Sequence, residues 1–186
     1  PVFAGGTVVL LNRWDPVAVM AAIDRFRVTH GAFLIDGAVE ILEHPERHRF
    51  DLTSLKGSQG ISFVKKLNPD VRRRWRELTG TTLRECAWGM TETHTCDTMN
   101  FGLDDDDFDL GSQPIFVGFP VPGTEFKICD FETGALKPLG EEGEICIRSP
   151  SLLKGYWNRP DANDEVFRDG WFHTGDIGLY DADGIL

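Results

Sequence analysis

The hydrophobic pattern of this chain changes character near Asn100. Up to that point, short apolar runs alternate with stretches whose apolar side chains recur every three or four positions. GTVVLLN at 6–12 is apolar and rich in β-branched residues, which predicts a buried strand. Asp15-Pro16 then supplies a capping side chain with proline at the first helical position. Val19, Met20, Ile23 and Phe26 follow at helical spacing, so a helix is expected to about Val28. AFLI at 32–35 predicts a second strand, AVEILEH at 38–44 a short helix, and SLKGSQG at 54–60 a third strand. Asn68-Pro69 repeats the cap, Val71, Trp75 and Leu78 form one stripe, and Gly80 marks the stop. TLRECA at 82–87 is then a strand, and open α/β sheets place ligands at the carboxyl ends of their strands.

Beyond Asn100 the turn signals become dense: Pro120, Pro122-Gly123, Thr133-Gly134, Gly140 and Gly143. Alternating runs lie among them, EFKICD at 125–130, EICIRS at 144–149 and IGLYD at 177–181, as expected of antiparallel strands in a small barrel. The predicted fold is therefore α/β, an open αβ-layered sheet subdomain over 1–105 followed by a small β-barrel subdomain over 106–186. Asp104 to Asp107, with Asp109, reads as a solvent-exposed acidic loop near the join.

Composition narrows the function classes. Hydrophobic residues at 41% and charged residues at 26% are ordinary for a soluble globular chain. A net charge of −11 argues against a general nucleic-acid binder, which carries a basic face. No apolar run is long enough for a transmembrane helix, and the opening PVFAGGTVVLLN lacks the basic region of a secretory signal. Cys86, Cys96, Cys129 and Cys146 form no CxxC pair, which fits reduced thiols in a cytoplasmic protein. Lys65, Lys66, Arg72, Arg73, Arg74 and Arg76 read as a solvated helix face. The rarer alternative is peripheral attraction to an acidic lipid surface or to the phosphates of CoA.

The densest chemistry is AWGMTET at 87–93. The indole of Trp88 can stack on a base, and Gly89 lets backbone approach a ligand. Thr91 can donate to a phosphate oxygen. Glu92 offers the hard carboxylate oxygen that magnesium takes alongside phosphates and water. A second signal, GWFHTGDI at 170–177, presents Asp176 from a Thr-Gly-Asp turn, suited to accept from a ribose diol. His94, Cys96 and Asp97 lie close together, but a single local cluster is poor evidence for zinc and is read as pocket lining or packing.

With GEICIRSPSLLKGYWNRPDANDEVF at 143–167, VGFPVPGTEFKICD at 117–130 and FRVTH at 26–30, these segments resemble the adenylate-forming acyl-CoA synthetase superfamily, most of all a fatty-acyl-CoA synthetase. The resemblance implies an ATP- and CoA-dependent ligase that converts a fatty or other carboxylic acid to acyl-adenylate and then to acyl-CoA. It implies catalytic roles for Thr91 and Glu92, with Glu92 on Mg2+. It implies contacts to ATP or AMP from Gly60, Ile61, Ala87, Trp88, Gly89, Met90, Thr91 and Asp176. Trp88 stands where relatives usually carry tyrosine. Gln59-Gly60-Ile61 stands where they often carry Gly-Gly-Ala, and Ile35-Asp36 where they often carry Val-Pro, both near the expected acyl pocket. Gly155-Tyr156 with Asn158-Arg159-Pro160 is a family marker with an expected structural role, and Asn163 replaces a usual threonine as a helix cap.

The family's phosphate loop is expected upstream of Pro1, and its hinge and lid beyond Leu186. The chain is accordingly read as part of a longer polypeptide, without turnover by itself. The rival readings are a non-catalytic nucleotide-binding module and an amino-acid-activating domain of a peptide synthetase.

Overall fold

The computed structural model describes residues 2–100, 107–111 and 115–186, and the side chains of all of these except Val2 and Thr95. Asp104–Asp106 of the acidic stretch lie outside the described residues. The described residues group into two compact units, one containing residues to Glu85 together with 107–111, the other Cys86–Asn100 together with Phe116–Leu186.

The first unit is a βαβαβ array. Strands β1 (His30–Leu34), β2 (Gly57–Ile61) and β3 (Leu83–Glu85) pair in parallel in that order. Parallel neighbours need crossovers, and these carry helices α2 (Ile35–Glu43) and α3 (Pro69–Thr79). Helix α1 (Pro16–Phe26) precedes them, with the Asp15 carboxylate accepting from Ala18 N at 2.8 Å as the sequence predicted. The Asn68 side chain caps α3 through Val71 N, and Gly80, at φ 80°, ends it in the left-handed conformation that costs glycine least. The predicted stripe turns inward: Trp75 is fully buried, its ring 4.9 Å from Phe33, among Met20, Ile35, Ile41 and Leu83.

Three expectations for this unit change. GTVVLLN forms no strand, and Val8 and Leu10 are 52% and 89% exposed. A β-prone run becomes a strand only where a neighbour completes its hydrogen bonds, and the described sheet begins at β1. Arg72 is not on a solvated face. It is 4% exposed and grips Asp109 of the single turn α4 (Phe108–Gly111) with two contacts of 2.6 and 2.5 Å. Asp109 in turn is no loop aspartate: it is 6% exposed and also accepts from Glu85 N at 2.6 Å. Periodicity in α3 is satisfied by Val71 and Trp75, and Arg72 beside them is buried with partners that arrive from distant sequence, the Leu83 carbonyl at 3.0 Å and Asp109 from 37 residues away.

In the second unit, β8 (Glu125–Cys129), β9 (Gly143–Arg148), β10 (Phe167–Arg168) and β11 (Trp171–Gly178) form an antiparallel sheet ordered β10-β11-β9-β8. Its inner residues Ile128 and Ile145 pack with Leu186, Phe126 and Tyr180. Two small ladders accompany it, β4 (Gly89–Met90) with β5 (Thr95–Cys96), and β6 (Thr98–Met99) with β7 (Phe119–Pro120). The strand expected at 177–181 instead runs from Trp171 and ends at Gly178. A shift of register between His173 and Ile177 hides its alternation. The architecture is α/β, a parallel helix-crossed sheet followed by an antiparallel β-rich unit.

Candidate functional site

The AWGMTET heptad folds tightly on itself. Trp88 donates its backbone N–H to the Thr98 hydroxyl at 2.7 Å, and its carbonyl accepts from Asp97 N at 2.8 Å and Thr98 N at 3.1 Å. Gly89 and Met90 then form β4, and Thr91–Thr93 make one 3₁₀ turn closed by His94 in the left-handed region at φ 63°. Beneath the turn Asp97 is fully buried and takes the Thr93 hydroxyl. Burial pushes its carboxyl above the usual range. Ala87 is buried, Thr91 and Gly89 are exposed, and Met90 is half-buried. His94 turns to the Ser151 carbonyl at 2.9 Å and Asp97 turns inward, so His94, Cys96 and Asp97 do not share a ligand position.

Glu92 is half-buried and held from two directions. Its carbonyl accepts from Leu153 N at 2.7 Å, and its Oε1 accepts from the Tyr156 hydroxyl at 2.9 Å. Burial, followed by the Glu92 carboxylate itself, raises the Tyr156 phenol above its ordinary value, so it remains a donor near neutrality. Sequence reasoning assigned Tyr156 only a structural role in the GYWNRP marker, and no local spacing links it to Glu92. Asn163, expected as a cap, lies inside α5 (Pro160–Val166). Its side chain accepts from Tyr156 N at 2.7 Å and donates to Tyr156 O at 3.1 Å, which fixes the backbone of the tyrosine.

Asp176 is exposed, and the expected Thr-Gly-Asp turn is a bulge within β11. Gly175 takes φ 76°, Thr174 Oγ1 donates to Ile145 O at 2.8 Å and accepts from Asp176 N at 3.0 Å. Bulges re-aim side chains in this way. Asp176 Oδ2 accepts the indole N–H of Trp88 at 3.0 Å, and the Trp88 and Phe126 rings form a T-shaped pair with centroids 5.6 Å apart. The structure therefore brings Trp88 and Asp176 into contact and sets Thr91 and Glu92 one turn further along the chain. Gly60 and Ile61 belong to the first unit. There Gly60 is buried, and a Cβ on it would stand 2.6 Å from Ile35 Cδ1, so the glycine serves close packing of that core.

Sequence reasoning missed the support beneath the bulge. Glu144 Oε1 accepts from Gly175 N at 3.1 Å, and its Oε2 lies 2.6 Å from His173 Nδ1 and 3.3 Å from the Arg168 guanidinium. Cys146 completes a buried group of oxygen, sulfur and nitrogen atoms within 4.8 Å of one another. Both carboxylate oxygens of Glu144 are already engaged, and Arg168 also lies 2.6 Å from His173 Nδ1, so the group is a buried charge network around the bulge, with Arg168 Nε left without a partner among the described residues. Burial, with Cys129 beside it, pushes the Cys146 thiol up to about 12, so it stays protonated and is no nucleophile at neutral pH. Among the described residues no helix is long and apolar enough to cross a membrane.

Comparison with known proteins places this geometry. Residues 1–157 match the family model described as AMP-binding enzyme. The chain is 40% identical over 146 residues to a long-chain-fatty-acid–CoA ligase of Salmonella typhimurium, covering 78% of this chain and 24% of that protein. It is 32% identical over 181 residues to 4-coumarate-CoA ligase 1 of Narcissus pseudonarcissus, covering 97% and 32%. The fold superposes on O-succinylbenzoate coenzyme A synthetase of Bacillus subtilis in complex with ATP and magnesium ion, with a TM-score of 0.76 and 26% identity over 99% of this chain and 36% of that one. The chain thus spans about a quarter to a third of the length of these two relatives.

Proposed function

We propose, from the premise that this chain belongs to the AMP-binding enzyme family, that it is part of an ATP- and CoA-dependent acid–thiol ligase. The observation that supports this reading is that Trp88, Asp176 and Glu92 lie in one unit, with the Trp88 indole bonded to Asp176 and Glu92 braced by Tyr156. In the first reaction a carboxylate oxygen attacks the α-phosphate of ATP and pyrophosphate leaves, giving an acyl-adenylate. In the second the CoA thiol attacks the acyl carbon, and AMP leaves.

The residues divide this work by chemistry. The face of Trp88 receives the adenine, with Ala87, Gly89 and Met90 lining that approach, and Asp176 accepts the ribose hydroxyls. Thr91 donates to a phosphate. Glu92 fits magnesium because its carboxylate is oriented through Oε1, leaving Oε2 for the cation. Bound there, magnesium supplies screening between the attacking and phosphate anions and stabilises charge on pyrophosphate.

The name of the Salmonella relative supports a fatty acid, and that of the Narcissus relative makes an aryl acid the second choice. Turnover requires the remaining length of the ligase, and the 186-residue chain alone is expected to form no acyl-AMP. The test is acid-dependent pyrophosphate release by the full-length protein with ATP and magnesium, against short, medium, long and aryl acids. Release with one acid class, lost in Glu92→Ala and Asp176→Ala, supports the reading. A folded protein that binds ATP but releases nothing with any acid would replace it with a nucleotide-binding module. Release with amino acids alone would replace it with a peptide-synthetase domain.

A further inference from the structure

Trp88 is fixed more firmly than a stacking ring requires. Its backbone N–H and carbonyl are both bonded to the Asp97–Thr98 segment, its ring packs against Phe126 with the planes at 72°, and its one polar side-chain atom reaches Asp176 Oδ2 at 3.0 Å. Asp176 is exposed on a bulge, and an exposed carboxylate without a side-chain partner exchanges among rotamers and water. An indole N–H can only donate, so it engages an acceptor oxygen of Asp176 and holds the carboxylate in one orientation. The remaining lone pairs, one on Oδ2 and two on Oδ1, stay available to hydroxyl donors.

We propose that Trp88 is a specificity-determining residue for the sugar of the nucleotide: by holding Asp176 through its indole N–H, it makes the site discriminate ribose from deoxyribose. This rests on the reading of Asp176 as the ribose acceptor. Adenine stacking uses the π face and the ribose effect uses the N–H edge, so the two contributions of one side chain are separable. A phenyl ring keeps the face and has no donor.

The experiment measures equilibrium binding of ATP, 2′-deoxy-ATP and 3′-deoxy-ATP to the full-length protein and to its Trp88→Phe and Asp176→Ala variants. The wild type is expected to prefer ATP. Trp88→Phe should reduce that preference about three- to tenfold, the scale of one hydrogen bond. Asp176→Ala should abolish it. Replacing Trp88 with β-(3-benzothienyl)alanine, which has the same shape and no N–H, should reproduce the Trp88→Phe result even if the smaller ring disturbs folding. An unchanged preference in both Trp88 replacements, with the preference lost in Asp176→Ala, overturns this inference and leaves the ribose reading intact. An unchanged preference in Asp176→Ala overturns both.

Discussion

The hydroxyl of Tyr156 donates to Oε1 of Glu92 at 2.9 Å across 64 positions of sequence. Asn163 clasps the backbone of Tyr156 from both sides, so the phenol is delivered by a fixed segment. Partners that orient a metal-ligating carboxylate tune the site as strongly as the ligand's own placement. On the proposed role of Glu92 as a magnesium ligand, Tyr156→Phe in the full-length protein should raise the magnesium concentration for half-maximal pyrophosphate release about tenfold. The rate at saturating magnesium should change little. A magnesium titration reads this directly, and an unmoved midpoint would show that the bond does not orient Glu92 for the cation.

The Arg72–Asp109 pair is buried on both sides. Removing one partner of such a pair leaves the other charge without compensation and typically costs about 3–5 kcal/mol. In Asp109→Ala the Arg72 guanidinium loses its buried carboxylate, keeping the Leu83 carbonyl on Nε and the exposed Asp107 on Nη1, and the Glu85 N–H loses the oxygen it reaches at 2.6 Å. Chemical denaturation of this variant should show a loss on that scale. Asp51→Ala, which breaks an exposed pair with Arg27, should cost far less.

Glu85 is the group whose titration opposes folding of the first unit. Burial raises its carboxyl above 4.5, and the Asp109 charge adds to this, while Ser62 and Lys66 pull the other way. Its stabilising contribution is therefore whole below 4.5 and is lost as pH rises through the raised folded value, because the unfolded chain releases the proton first. Glu85→Gln cannot ionise. Its stability relative to wild type should improve as pH rises from 4.5 through the raised folded value in urea titrations. A difference that is flat or of opposite slope would refute the assignment.

Gly118 occupies φ 94° with its Cα against the Met99 carbonyl, where a Cβ would stand 2.6 Å from the carbonyl carbon and oxygen. The obstacle is backbone on the partner strand, so it cannot rotate away. Gly118→Ala should destabilise the second unit by about 2 kcal/mol or more, seen as a lowered melting midpoint. Gly134→Ala, also at positive φ but facing open space, should cost less.

The sequence by itself determined the elements whose causes are local. Asp15-Pro16, Asn68-Pro69 and Gly80 punctuate helices because a cap and a left-handed stop need only neighbouring residues. The heptad and the Thr-Gly-Asp segment were legible because their chemistry is packed into consecutive positions. Tertiary structure alone decided whatever depends on a distant partner. It left GTVVLLN outside the described sheet, buried Arg72 on Asp109, turned the Thr-Gly-Asp segment into a bulge over Glu144, and set Tyr156 on Glu92 and the Trp88 N–H on Asp176. Hydrophobic period and capping act within a few residues, whereas a hydrogen bond between residues 64 or 88 positions apart exists only after the chain has folded to bring them together.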